Sequence, residues 1–182
     1  HHQALGRWCD GDWQGANSAW EQILLDHPTD VLAIRLAHFT HFYSGDARRM
    51  RDSAARVLPH WDTSIPGYGY IKGLYAFGLE ESGDYQAAER WGREAVDDNP
   101  SDIWATHAVT HVFEMQERHD EGMAWIDGLS NQWSGMNNFT FHVWWHRALF
   151  SLEKERYDEV LTLYDTQFRA TQTEEYLDMT NA

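Results

Sequence analysis

The strongest constraint in this sequence is a motif that recurs along its 182 residues at a nearly constant spacing. A short polar turn is followed each time by a new helical pattern, and aligning the turns gives five equivalent positions: Trp13, Ala47, Tyr85, His119 and Tyr157. The successive differences between these numbers are 34, 38, 34 and 38. Self-similarity at such a period indicates an array of similar supersecondary units, because each unit alone cannot bury its apolar face.

The period and the composition together predict the fold class. A 34-residue period is that of the tetratricopeptide repeat, a helix–turn–helix unit, and 38 is the same period with a longer loop. Proline is scarce, and apolar residues recur at helical spacing almost throughout. We therefore predict an all-α, right-handed tetratricopeptide-like solenoid of about five helix pairs, a single domain over residues 1–182. The predicted units are about 1–30, 31–68, 69–102, 103–140 and 141–174, with the extra residues in loops at 60–67 and 131–138.

The two ends of the chain do not match a complete array. Counting back from Trp13, the first unit lacks the opening residues of its first helix, and residues 175–182 resemble the start of a helix without its partner. Solenoids carry polar end caps that keep the terminal units soluble, and neither end resembles one. We therefore expect the chain to be a segment of a longer protein.

The composition bears on partners and on compartment. The 29 acidic residues against 14 Lys and Arg give a formal net charge of −15, and such a surface repels phosphate backbones. No nucleic-acid partner is expected. No apolar run is long enough to span a bilayer and no signal-peptide pattern opens the chain, so no membrane partner is expected either. A single cysteine, Cys9, excludes an internal disulfide and favours a reducing, cytoplasmic location.

Part of each first helix is expected to line the concave face of the array, as in other tetratricopeptide proteins. If unit four begins near Ile103, its groove positions hold an aromatic residue, two histidines and a glutamate. With the corresponding positions of the neighbouring units, the predicted ligand-binding groove contains Arg35, Tyr70, Phe77, Trp104, His107, His111, Glu114, His142 and Trp145. This surface lacks the Lys, Asn and Arg set by which some tetratricopeptide domains hold the terminal carboxylate of a peptide.

The stretch WATHAVTHVFEM, residues 104–115, carries the candidate chemistry. His107, His111 and Glu114 fall on one helical face, which allows a metal site, an acid–base pair or plain hydrogen bonding. Tight zinc binding needs three or four ligands in a tetrahedral array. The helix supplies two histidines, His142 would have to be the third, and Glu114 lies a further turn along. We therefore expect no stoichiometric zinc and no other cofactor.

The other histidines of the first helices are interpreted as structural. His38 and His41 fall at packing positions of unit two, where we expect them to be hydrogen-bonded inside the protein. His146, in the stretch HVWWH, is expected to face the interface between helices.

Several longer stretches resemble the tetratricopeptide repeat protein 38 family and its bacterial relatives. They are WEQILLDHPTD (20–30), RDSAARVLPHW (51–61), YIKGLYAFGLEESGDYQAAE (70–89), WATHAVTHVFEM (104–115) and HVWWHRALFSLEKERYDEVLTLYD (142–165). The resemblance marks His38, His107, His111, Glu114, His142 and His146 as positions of the family pattern. It implies the solenoid fold but no established reaction. Because the family's proteins are considerably longer than this chain, it also supports the expectation of a segment.

The sequence leaves two functions from different classes as alternatives. The first is a binding scaffold whose aromatic and His/Glu-lined groove holds a peptide or partner segment, the usual role of such arrays. The alternative is a small-molecule-binding protein or an enzyme that uses His107, His111, Glu114 and His142 for acid–base chemistry.

Overall fold

The computed structural model describes residues 1–171 and 173–181, and this part of the chain contains helices and turns but no strand. Gln172 and Ala182, which the predicted single domain includes, lie outside the described residues. In the described part eleven α-helices follow one another: α1 (His2–Cys9), α2 (Trp13–Asp26), α3 (Val31–Tyr43), α4 (Ala47–Val57), α5 (Tyr68–Glu81), α6 (Tyr85–Asp98), α7 (Ile103–Met115), α8 (His119–Leu129), α9 (Phe139–Glu153), α10 (Tyr157–Leu163) and α11 (Tyr176–Thr180).

The helices form pairs whose second members begin at the five aligned positions of the repeat. Helices α2, α4, α6, α8 and α10 start at Trp13, Ala47, Tyr85, His119 and Tyr157. The predicted fold class, an all-α tetratricopeptide-like solenoid, is confirmed. The helix expected near the end of the chain is present as α11.

Each turn inside a pair contains one residue with left-handed backbone geometry. Gly11, Gly45 and Gly83 hold it in the first three units, with φ between 70° and 81°. Glu117 and Glu155 hold it in the last two units, with φ of 58° and 56°. Glycine adopts this conformation without steric cost, whereas a residue with a Cβ adopts it only at a steric cost. The turn therefore keeps the same geometry across the five units although its residue type changes.

The pairs pack against one another along the chain and share a continuous interior. Helix α5 contacts α4, α6 and α7, and α7 contacts α9. Fully buried side chains mark the interior at both ends, with Trp20 and Ile34 in the first units and Phe113, Ile126 and Phe150 in the last. Each unit buries its apolar face on its neighbours, as expected of a solenoid.

The longer periods are not explained by loops alone. Residues 58–67 and 130–138 form the long connections, close to the predicted 60–67 and 131–138. Helix α9 has 15 residues, however, against 13 in α3 and in α7. Part of the extra length of the last period thus lies inside α9. The first helix of unit five begins at Phe139 rather than near residue 141.

No helix within residues 1–171 and 173–181 combines the length and the apolar character that crossing a membrane requires.

Candidate binding cavity and histidine cluster

A cavity of about 780 Å³ lies on the side of the array where the first helices α3, α5, α7 and α9 are exposed. Residues 175–178, at the start of α11, close one part of its wall. Aromatic side chains form a large part of the rest: Phe39, Phe42, Tyr43, Phe77, Trp104, Phe139 and Trp145. The volume is within the range of ligand pockets, about 300–1,000 Å³.

Eight of the nine residues predicted for the groove line this cavity: Arg35, Phe77, Trp104, His107, His111, Glu114, His142 and Trp145. Tyr70 does not. It lies two helical turns before Phe77, near the N-terminal end of α5, and its side chain is exposed. The predicted groove position of Tyr70 therefore lies outside this cavity.

Arg35 is the cation in the wall of the cavity. Its guanidinium carbon lies 3.9 Å from the ring centre of Phe39 and 4.5 Å from that of Trp104. Burial lowers the pKa of Arg35 to about 10, although the charges of Asp102 and Tyr43 act to raise it. The side chain therefore stays positive at neutral pH. Within the described residues no carboxylate forms an ion pair with it. Its planar faces are covered, and its N–H groups remain free to donate.

Four histidines form a cluster, which we call the histidine cluster: His107, His111, His142 and His146. The Nε2 atom of His107 lies 2.9 Å from that of His142. The Nε2 atom of His146 lies 3.1 Å from that of His142 and 3.1 Å from that of His111. One nitrogen from each ring, taken together, gives four atoms that all lie within 4.8 Å of one another.

Local sequence explains the convergence. Helices α7 and α9 each carry two histidines separated by three residues, an i, i+4 spacing that places both on one helical face. The two pairs stand in the same register, since His107 faces His142 and His111 faces His146, both 35 residues apart. Adjacent helices pack 8–10 Å apart, roughly the distance that two imidazoles bridge.

The outer nitrogens of the cluster have polar neighbours. The Nδ1 atom of His146 lies 2.8 Å from a carboxylate oxygen of Glu114, and that of His111 lies 3.4 Å from Glu80. The side-chain amide of Asn181 lies 3.0 Å from Nδ1 of His142. The Nδ1 atom of His107 is buried without a partner among the described residues. The carboxylate of Glu114 thus orients the ring of His146.

Burial controls the protonation of the cluster. It lowers the pKa of His107 and of His146 well below the usual value, helped by the positive charge that neighbouring histidines would carry. For the same reasons the pKa of His142 falls to about 3. Burial raises the pKa of Glu114, although His111 and His142 oppose this. At neutral pH these three imidazoles are neutral, and each offers one nitrogen lone pair.

Two sequence-based expectations about histidines are wrong. His146 does not face only the helix interface, because it lies one helical turn after His142 on the same face of α9 and lines the cavity. The repeated i, i+4 histidine pair was the signal that could have revealed it. His38 is fully buried, but neither ring nitrogen has a hydrogen-bond partner among the described residues. His41 does have one, since its Nε2 lies 2.9 Å from Glu21.

Comparison with known proteins gives the fold. No protein-family model matches the chain. TTC0263, a thermophilic TPR protein in Thermus thermophilus, superposes with a TM-score of 0.71 at 15% identity, covering 98% of this chain and 93% of that one. MamA (41-end) from Desulfovibrio magneticus RS-1 gives 0.63 at 14% identity over 90% of this chain and 92% of that one. YrrB, a TPR protein with an unusual peptide-binding site, gives 0.59 at 14% identity over 97% and 87%. At such identities the similarity shows the tetratricopeptide fold alone.

Proposed function

We propose that this protein is a tetratricopeptide binding protein whose concave cavity holds a segment of a partner protein. The segment presents an acidic group to Arg35 and an aromatic or apolar side chain to the walls. The observation that carries this proposal is the pairing of aromatic walls with an arginine that forms no ion pair among the described residues, although the nearby charge of Asp102 raises its pKa.

The arginine favours an anionic group in the partner. Its guanidinium is held by Phe39 and Trp104, so little side-chain freedom remains to be lost when a ligand binds. A carboxylate that reaches it gains charge-assisted hydrogen bonds in a partly desolvated site, where they are strong. The chain's excess negative charge disfavours acidic segments elsewhere on the surface.

The walls favour one or two large side chains. The rings of Phe77 and Trp104 lie 4.9 Å apart and those of Trp104 and Phe139 5.2 Å apart, so they form a continuous aromatic surface. Burying a large apolar side chain there contributes about 1.5–3 kcal/mol. YrrB, which has the same fold, is a TPR protein with an unusual peptide-binding site, and this supports a peptide as the ligand.

We also propose that the chain belongs to the tetratricopeptide repeat protein 38 family and is cytoplasmic. Five of the six positions of the family pattern line the cavity: His107, His111, Glu114, His142 and His146. This supports a shared binding site for the family. The free cysteine, Cys9, is exposed, which suits a reducing compartment.

A second candidate is a small-molecule ligand, favoured by the size of the cavity. Acid–base catalysis by the histidine cluster is less favoured. A base with a pKa of about 3, such as His142, accepts a proton weakly at neutral pH.

Selection from a random peptide display library tests the peptide proposal. We expect enriched sequences with an acidic residue beside an aromatic or large apolar one. Binding of a synthetic selected peptide should fall at least about tenfold in Arg35→Ala, since a charge-assisted hydrogen bond contributes about 1.5–3 kcal/mol. It should be unchanged in Arg48→Ala, which removes an exposed arginine outside the cavity. Failure to enrich any sequence, or equal binding to Arg35→Ala, contradicts the proposal.

A further inference from the structure

The histidine cluster brings one nitrogen of each of four imidazoles within 4.8 Å of the others. The Nδ1–H group of His146 donates a hydrogen bond to Glu114, and this tautomer has a lone pair on Nε2 of the ring. This nitrogen faces Nε2 of His142 and Nε2 of His111, each at 3.1 Å. Either neighbour can donate an Nε2 proton to this lone pair, or all of these nitrogens can present lone pairs to one cation.

The distances suit a metal ion. Zinc–imidazole bonds are about 2.0–2.1 Å long, so two ligand nitrogens on one ion lie roughly 2.8–3.4 Å apart for angles between 90° and 109°. The three measured Nε2–Nε2 distances, 2.9, 3.1 and 3.1 Å, fall in this range. All four ligand nitrogens lie within 4.8 Å of one another, so side-chain rotations that shorten the longer separations bring them to one centre.

The surroundings complete such a site. The carboxylate of Glu114 holds the ring of His146 from behind, the arrangement that fixes ring orientation and raises ligand basicity in metal sites, and the carboxylate of Glu80 lies 3.4 Å from Nδ1 of His111. They also offset the charge of a divalent ion. His107 and His146 are buried, whereas His111 and His142 are half-buried and line the cavity, which gives an ion a route from solvent.

We propose that His107, His111, His142 and His146 form a binding site for one divalent transition-metal ion at the floor of the concave cavity. Four imidazoles without a thiolate select ions such as Zn²⁺, Co²⁺, Ni²⁺ or Cu²⁺ over the harder Mg²⁺ and Ca²⁺. The sequence-based expectation of no stoichiometric zinc rested on three available histidines, and His146 supplies the fourth. The assignment does not depend on a peptide ligand.

Zinc titration of the untagged, metal-free protein by calorimetry tests the proposal. We expect one zinc per chain and a rise in melting temperature. The histidine-to-glutamine changes His111→Gln and His142→Gln, at the two half-buried positions, should weaken binding by more than about 100-fold. Losing the hydrogen-bond partner of a metal ligand typically weakens metal binding about 10- to 100-fold. We expect this smaller loss for Glu114→Gln.

The double variant His27→Gln/His60→Gln is the matched control, because both histidines are exposed and lie outside the cavity. It should bind zinc like the parent. Circular dichroism checks that each variant keeps its helices.

A measurement on the unmodified chain keeps the proposal falsifiable if the cluster variants do not fold. Added Co²⁺ should give visible absorption bands of a nitrogen-ligated ion at one equivalent, and zinc should abolish them. Absence of these bands, absence of zinc binding, or zinc binding that His142→Gln leaves unchanged overturns the proposal.

Discussion

At the residue scale, Glu21 links the second helix of unit one to both helices of unit two. Its carboxylate accepts hydrogen bonds from His41, Ser53 and Arg56. Burial by itself would raise the pKa of Glu21, but these hydrogen bonds and the charge of Arg56 outweigh it and lower the pKa to about 2. The lowered value means that the charged form is stabilised in the folded protein.

Glu21→Gln should therefore destabilise the protein in a pH-dependent way. Because the folded pKa lies below the ordinary value of 4.5, the stabilisation is fully present above that pH and is lost as the pH falls towards about 2. The shift corresponds to at most about 3 kcal/mol at pH 7. Denaturant unfolding of parent and variant from pH 7 to 2.5 measures it. A difference between the two that does not shrink below pH 4.5 contradicts this account.

At the element scale, helices α4 and α5 approach closely at Gly78. A Cβ built on Gly78 would lie 2.7 Å from the Cα of Arg51, a distance that real Cβ atoms do not show. The backbones of the two helices must separate to admit even one methyl group. The glycine is needed for space rather than for backbone freedom, since its φ is helical.

Gly78→Ala should accordingly cost about 1–3 kcal/mol of unfolding free energy, although alanine is the better helix former. Gly128→Ala is the matched control. It makes the same change in helix α8 where nothing lies within 4 Å, and it should leave stability unchanged or raise it by up to about 1 kcal/mol. Guanidinium unfolding of both variants measures the difference. Equal stability of the two would show that α4 and α5 do not pack at this register.

The elements also show what the sequence could and could not predict. The period located the start of every second helix, because it follows directly from the repeated turn. Capping is less uniform. Asp12, Asp46 and Asp84 cap the second helices of the first three units, whereas Arg118 and Arg156 stand at the same position without a side-chain cap. Units four and five keep the turn without this cap, with Glu117 and Glu155 in the left-handed conformation.

At the scale of the whole molecule, the candidate site belongs to no single unit. Unit two supplies Arg35, unit three supplies Phe77, and units four and five supply two histidines each. Groove positions known for the fold were sufficient to predict eight of the nine proposed lining residues. His146 was missed because repeat numbering placed it at the helix interface, although its i, i+4 spacing from His142 puts both side chains on one helical face.

The central claim is that units four and five present four imidazole nitrogens to one point in the concave cavity. X-ray absorption spectroscopy at the zinc edge, on the unmodified chain with one equivalent of zinc, tests it most directly. We predict a nitrogen shell at about 2.0–2.1 Å with outer-shell scattering from four imidazoles. An oxygen-rich shell with one imidazole or none would contradict the claim.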